Sequence, residues 1–399
     1  MSHDFTTHVD RTNEGSFKWG EMIKSLPERP EDVVPLSVAD MEFPTAEPIK
    51  RALHNLIDSS VLGYTGPTDA FYEACLGWQE RRHGWKPQRE WIVTSPGVVP
   101  ALHMIVRALT KPGDGVIIQQ PVYYPFVSAV ERAGGRTVVD NALVLRDGRY
   151  QMDLDDLAAK AADPANTMLI LCSPHNPVGR VWEPETLARV VDICTQNDVI
   201  EVAVEIHDDL IMPGFEHTTI ARVCDEAQLE NLIVCTAPSK TFNLAGCQAS
   251  LIYVPGEELR KRVQAEFDAS SIWTLNCFAY TATTAAYNEC EDWLDELIGI
   301  VWGNYERLRA FCARHPELVC HDLEGTYLAW VDFNAWGLAT DELERFMHEE
   351  ALLFLDEGKL FGHAGDGFER FNLACPHDLF EAALGRLEDA IARTGIDKR

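Results

Sequence analysis

Between about residues 68 and 290, short apolar runs alternate with helix-length segments, and this rhythm limits the fold more than any other feature of the sequence. The runs Trp91-Ile92-Val93-Thr94, Gly115-Val116-Ile117-Ile118, Thr167-Met168-Leu169-Ile170-Leu171, Val199 to Ile206, Leu232 to Cys235 and Ser250-Leu251-Ile252-Tyr253 read as strands. Apolar strands separated by helical spacers predict an α/β fold, with a mainly parallel sheet covered by helices on both faces. Ligands of such sheets gather at the carboxyl ends of the strands. The polar clusters fall there: Ser95-Pro96-Gly97, Gln120-Pro121, Ser173 to Gly179, His207-Asp208-Asp209 and Ser239-Lys240. Beyond residue 290 the pattern changes to a long helix over Asp292 to His315, a strand over Tyr327 to Phe333, a short helix near Asp341 to Glu350 and a closing helix over His377 to Thr394. The expected organisation is a large unit over residues 46–290 and a smaller α+β unit built from residues 1–45 and 291–399.

Composition narrows the function classes. The formal charge is 34 − 63 = −29, which argues against nucleic acid or an anionic membrane as a partner. The 11 cysteines are scattered without a C-x-x-C pair, so reduced core thiols are expected rather than a disulfide framework or a metal site. No segment approaches the ~18 uninterrupted apolar residues of a membrane span, and Met1-Ser2-His3-Asp4-Phe5 lacks a basic, then apolar, leader pattern. A cytoplasmic enzyme acting on a small molecule is the expectation.

Five segments carry chemistry. In Ala237-Pro238-Ser239-Lys240-Thr241-Phe242-Asn243-Leu244-Ala245-Gly246 a lysine sits where a buried strand gives way to a turn of small residues. Apolar surroundings disfavour the ammonium form, so Lys240 can serve as nucleophile or base near neutral pH. A solvated loop lysine would have the same neighbours in sequence. Thr94 to Leu102 reads as a strand end followed by a helix capped by Ser95 with proline at its first position; the N–H groups of Gly97, Val98 and Val99 would suit a phosphate, and a plain capped helix fits as well. Ser173-Pro174-His175-Asn176-Pro177 holds Asn176 in a rigid turn where its amide could donate to a phenolate, and Tyr123-Tyr124 could stack on a flat ligand or pack as core. Arg370, in an apolar setting after Gly365-Asp366-Gly367, can grip a carboxylate with both fork nitrogens or pair between domains.

Taken in order, these segments resemble the fold-type I pyridoxal-phosphate enzymes, in the cystathionine beta-lyase and cystalysin branch related to class I/II aminotransferases. The resemblance also runs through Asp10-Arg11, Ser16-Phe17-Lys18-Trp19, Val38-Ala39-Asp40-Met41-Glu42-Phe43-Pro44, Gly63-Tyr64-Thr65, Glu205-Ile206-His207, Gly325-Thr326-Tyr327-Leu328 and Phe361 to Pro376. It implies pyridoxal 5'-phosphate as cofactor, held covalently by Lys240, which would then move the substrate's α proton. By the same resemblance Asn176 would bond the ring oxygen with His207 near it, and Tyr123 would stack on the ring with Tyr124 close by. Gly97, Val98, Val99 and Ser239 would hold the phosphate, Tyr64 would reach the phosphate of a neighbouring subunit in a homodimer, and Arg370 would take the substrate carboxylate.

The sequence departs from the family at Val204. There the family's strand ends Asp-Glu-Ile-His, with the aspartate on the pyridine nitrogen; here it reads Ala203-Val204-Glu205-Ile206-His207. Glu205 points to the opposite face of a strand and does not replace it. Gln248 and Ser37 also stand where a basic residue and a tryptophan are common. The implied activity is carbon-sulfur β-elimination on a cysteine S-conjugate or cystathionine. Alternatives are an aminotransferase or a decarboxylation-coupled oxidative deamination in secondary metabolism, or a non-catalytic regulator that keeps the fold.

Overall fold

The computed structural model describes residues 3–398; Met1, Ser2 and Arg399, at the outer ends of the expected smaller unit, lie outside the described residues. The first nine strands are β1 (Ile92–Ser95), β2 (Gly115–Ile118), β3 (Thr137–Asp140), β4 (Val144–Arg146), β5 (Arg149–Gln151), β6 (Asn166–Cys172), β7 (Ile200–Val204), β8 (Leu232–Thr236) and β9 (Ser250–Tyr253). Seven of them form one sheet in the order β1-β9-β8-β7-β6-β2-β3, while β4 and β5 pair as a separate hairpin. The neighbours from β3 through β8 are parallel, and β9 runs antiparallel to both β8 and β1. Two reversals cancel. The end of β1 therefore joins the carboxyl ends of the parallel strands.

All six strands expected from the apolar runs are present. The edge strand β3 and the β4–β5 hairpin are additions, because their residues are only partly buried and give no continuous apolar signal. Side-chain alternation divides the core into two layers. Met168, Ile170, Cys172, Val202, Val204, Ile233 and Cys235 face one layer, while Leu169, Leu171, Ala203, Leu232 and Val234 face the other. Helices Val98–Leu109 and Glu257–Ala269 cover the first; Asp69–His83, Pro184–Gln196 and Cys277–Glu289 cover the second. Each fully buried Leu, Ile or Val contributes about 1.5–3 kcal/mol, so it is this double burial that fixes the strands in register.

The remaining four strands, β10 (Val319–Cys320), β11 (Leu328–Asp332), β12 (Asp356–Glu357) and β13 (Phe368–Asn372), form an antiparallel sheet in the order β10-β11-β13-β12. It is framed by helices Glu291–Arg314 and His377–Thr394. The predicted short helix runs over Thr340–Arg345 and continues as a π-helical turn over Phe346–Glu350. Strand β13 gave no strand signal because it carries Glu369 and Arg370, yet all five of its residues are buried. Residues 36–42 pack on this sheet: Leu36 N donates to Phe354 O (2.9 Å), Asn372 N to Leu36 O (2.9 Å) and Glu42 N to Ala374 O (2.9 Å). All 11 cysteines are unbonded, and no helix among the described residues is long and apolar enough to cross a membrane.

Leu169 is fully buried between β6 and the second helical layer. Leu169→Ala leaves a cavity there and is expected to cost about 2–5 kcal/mol, read as a lower denaturation midpoint in urea.

Candidate active site

A cavity of about 200 Å3 opens at the carboxyl ends of the parallel strands. Its lining includes Gly97, Val98, Val99, Tyr123, Asn176, Val204, His207, Ser239 and Lys240, nine of the twelve residues singled out in the sequence. Tyr64, Tyr124 and Arg370 stand outside it. Arg370 is one contact away, donating from Nη1 to Asn176 Oδ1 (2.9 Å). Tyr124 is half exposed, with its ring 5.2 Å from that of Tyr123. Tyr64 is 96% exposed, its ring tilted against that of the exposed Trp273 with centroids 5.9 Å apart.

The helix at the cavity begins at Val98, with Gly97 as its capping residue. Ser95 is instead the last residue of β1 and donates from Oγ to Gly97 O (2.9 Å), so the expected serine cap and first-position proline are corrected: Pro96 precedes the helix and Pro100 lies inside its first turn. The outcome for ligand binding is unchanged. The first intrahelical bond runs from Ala101 N to Gly97 O, which leaves the N–H groups of Gly97, Val98 and Val99 at the positive end of the helix dipole.

Lys240 lies at the cavity wall, and its Nζ donates to Ala39 O (2.6 Å). Burial lowers its pKa to about 8; Asp40 opposes the shift, and Arg370 and Lys18 add to it. A usable fraction of free amine is therefore present near neutral pH. His207 is buried with no hydrogen-bond partner on Nδ1 among the described residues. Burial, with Lys240 and Arg370 nearby, pushes its pKa well below the usual imidazole value, so it is a neutral ring. Tyr123 is pushed up to about 12 by burial and by Tyr124, so its phenol keeps its proton. Because Arg370 supplies the donor to Asn176 Oδ1, the amide of Asn176 retains Nδ2 as the donor for the cavity.

Val204 ends β7 and contributes an apolar wall. The next residue, Glu205, turns to the other face, accepting from Thr219 Oγ1 (2.5 Å) and Ile220 N (2.8 Å). No aspartate or glutamate is among the residues lining the cavity.

The sequence reading gave no role to the groups that hold Ala39 in place. Its carbonyl also accepts from Tyr327 Oη (2.8 Å), and Asn372 Nδ2 donates to both Val38 O (2.8 Å) and Asp40 O (2.7 Å). Lys18, 1% exposed, bridges Asp40 and Glu42 at 2.7 Å each, with Arg11 on the same two carboxylates. Burial raises the Asp40 pKa, but Lys18 and Arg11 outweigh it and hold the carboxyl below its ordinary value. Two acids spaced by two in Ala39-Asp40-Met41-Glu42, among apolar neighbours, were the available signal.

This arrangement of a buried amine, a helix N-terminus and strand-end polar groups can be set beside known proteins. The family model described as aminotransferase class I and II matches residues 31–387. The chain belongs to the aminotransferase class I and II family. Among the family's relatives, the cystathionine beta-lyase PatB of Bacillus subtilis (strain 168) is 39% identical over 393 residues, covering 98% of this chain and 100% of that protein. Cystalysin from Treponema denticola, whose structure contains pyridoxal 5'-phosphate, superposes with a TM-score of 0.96 at 42% identity, over 99% of this chain and 100% of its own. The PLP-bound C-S lyase from Staphylococcus hominis matches with a TM-score of 0.89 at 29% identity, over 98% of each chain. These similarities bear out the fold-type I resemblance read from the sequence.

The lowered pKa of this family member's amine has a measurable sign. Aldehyde capture by Lys240, followed by absorbance, is expected to rise as pH passes through about 8 and to level off above it, well below the ordinary lysine value of 10.5. Lys240→Arg should abolish the signal.

Proposed function

We propose that this chain is a pyridoxal 5'-phosphate enzyme that cleaves a carbon-sulfur bond by β-elimination, on a cysteine S-conjugate or cystathionine, giving thiol, pyruvate and ammonia. The observation that carries this reading is the buried amine of Lys240, lowered to about 8, in one cavity with the free N–H groups of a helix start. The names of the relatives support the reaction class.

The residues fit the cofactor at three points. Gly97, Val98 and Val99 offer N–H groups, and Ser239 a hydroxyl, to a phosphate. Asn176 Nδ2 offers a donor to the ring oxygen, and the unpartnered Nδ1 of His207 lies in the same wall. Tyr123 provides a flat face for stacking. When bound, the cofactor supplies an aldehyde for the substrate's amine and an electron-withdrawing ring. Lys240 Nζ would hold it and, once released, would take the α proton, for which its neutral form is required. Arg370 binds the substrate carboxylate and orients the α carbon.

At the position where the resemblance implies a carboxylate for the ring nitrogen the fit is different. Val204 stands there and no carboxylate lines the cavity, so no lining carboxylate would favour a protonated ring nitrogen. This observation favours a second reading, in which stabilisation of the α carbanion is weakened and the chemistry is redirected to transamination or to decarboxylation-coupled oxidative deamination. Aldehyde formation or oxygen consumption distinguishes it from simple elimination.

The large unit over residues 46–290 would then carry the cofactor, and the unit from 1–45 and 291–399 the substrate carboxylate. Val61, Leu62, Tyr64 and Trp273 are exposed apolar groups at 93%, 57%, 96% and 63%, which supports a homodimer in which Tyr64 reaches the partner's phosphate.

Incubation with cystathionine and S-methylcysteine is expected to release pyruvate and thiol, and Lys240→Ala should lower the rate by about 10²–10⁴-fold or more. Absence of both products from the cofactor-loaded protein would refute the lyase reading. Val204→Asp is expected to change both the cofactor's absorbance and the product distribution; if neither moves, the account of this position is wrong.

A further inference from the structure

Arg370 is not waiting for a carboxylate with an empty fork. On β13 it stands directly across from Asp356 on β12, and its Nη2 donates to Asp356 Oδ2. Nη1 is committed to Asn176, the guanidinium lies 4.7 Å from the centroid of the Phe361 ring, and Nε is buried with no partner among the described residues. The pair is nearly sealed: the side chains of Arg370 and Asp356 are 3% and 13% exposed. Asp356 has a second anchor, since the same Oδ2 accepts from Val38 N (2.9 Å).

A guanidinium beside one carboxylate is already neutralised. A second carboxylate brought into the same buried space adds an uncompensated negative charge, at a cost that burial magnifies. Val38 enters as well. It is a β-branched residue held at φ +52°, in the left-handed region that such residues avoid. Moving Asp356 would take from this residue the partner of its N–H.

Resting on the reading that Arg370 receives the substrate's carboxylate, we infer that Asp356 is a specificity-determining residue: an internal carboxylate that occupies Arg370 in the free enzyme and must be displaced by the incoming one. Carboxylate recognition is then an exchange of one anion for another. The net gain from that end of the substrate is small, so selection falls on the rest of the molecule, its amine and its side chain.

The test compares two ligands that lack an amine, 3-methylthiopropanoate and its neutral amide, titrated against the cofactor-loaded enzyme with cofactor absorbance and tryptophan fluorescence as readouts. Asp356→Asn keeps the shape and an acceptor for Val38 N while removing the charge. It is expected to tighten carboxylate binding by about tenfold and to leave amide binding unchanged. Unchanged or weaker carboxylate binding, in a variant with the parental melting temperature, overturns the inference; so does an equal change for both ligands, which a merely structural role predicts. Should Asp356→Asn fail to fold, Asp356→Ser carries the same expectation. Arg370→Lys separates the two levels. If it loses carboxylate affinity while the Asp356 variants do not respond, only this inference fails; if its carboxylate affinity equals the parent's, the assignment of the substrate carboxylate to Arg370 fails with it.

Discussion

Everything at this site depends on keeping one amine largely out of bulk water. A lysine ammonium buried without a paired carboxylate is costly, and the structure meets the cost by letting the amine lose its proton more easily and by giving it a single strong acceptor, the carbonyl of Ala39. That carbonyl belongs to no strand or helix. It is held by Tyr327, by the amide of Asn372 spanning Val38 and Asp40, and by the Lys18 bridge between Asp40 and Glu42. The charged cluster so close to Lys240 does two things at once. It fixes the backbone that receives the amine, and its carboxylates and cations nearly balance, so the field at Lys240 is set mainly by burial.

The sheet explains why the other groups converge. Parallel strands place their carboxyl ends on one edge, and the double reversal through β9 adds the end of β1 to that edge. The N–H groups of the Gly97–Val99 helix start, the amide of Asn176, the imidazole of His207 and Lys240 therefore arrive from four strands without any long excursion of the chain. The same alternation that brings Val204 into the cavity sends Glu205 away, into bonds with Thr219 and Ile220. A carboxylate one residue along the strand is thus no substitute for one at its end.

Much of this was legible in the sequence because burial on both faces writes a plain signal. Runs such as Leu232 to Cys235 have no polar alternation, and the six strands they mark are the ones that carry the cavity. The groups that were not legible act through backbone or across long sequence distances. Ala39 works by its carbonyl, which any residue possesses. β13 was hidden by Glu369 and Arg370, since charged side chains read as exposed unless their partners are known, and Asp356 is such a partner. The helix cap lies two residues beyond Ser95, a good capping residue by type, because the Ser95 hydroxyl bonds forward to Gly97 O at the end of the strand.

The hydrogen bonds joining residues 36–42 to β13 have a consequence for how the protein is made. Asn372 reaches back 334 and 332 residues to Val38 and Asp40, so an early-synthesised segment docks on one made more than 300 residues later. Until β13 emerges, the segment bearing Ala39 has no sheet to lie on, and the strand ends around Lys240 face solvent on that side. The nascent large unit can assemble its parallel sheet early, but the lysine's environment closes only after β13 has been made. Contacts of such sequence separation fold slowly and leave apolar strand ends exposed meanwhile. The chemistry of the site is in this sense delayed by its own topology, since the amine is not fully sheltered until β13 is in place.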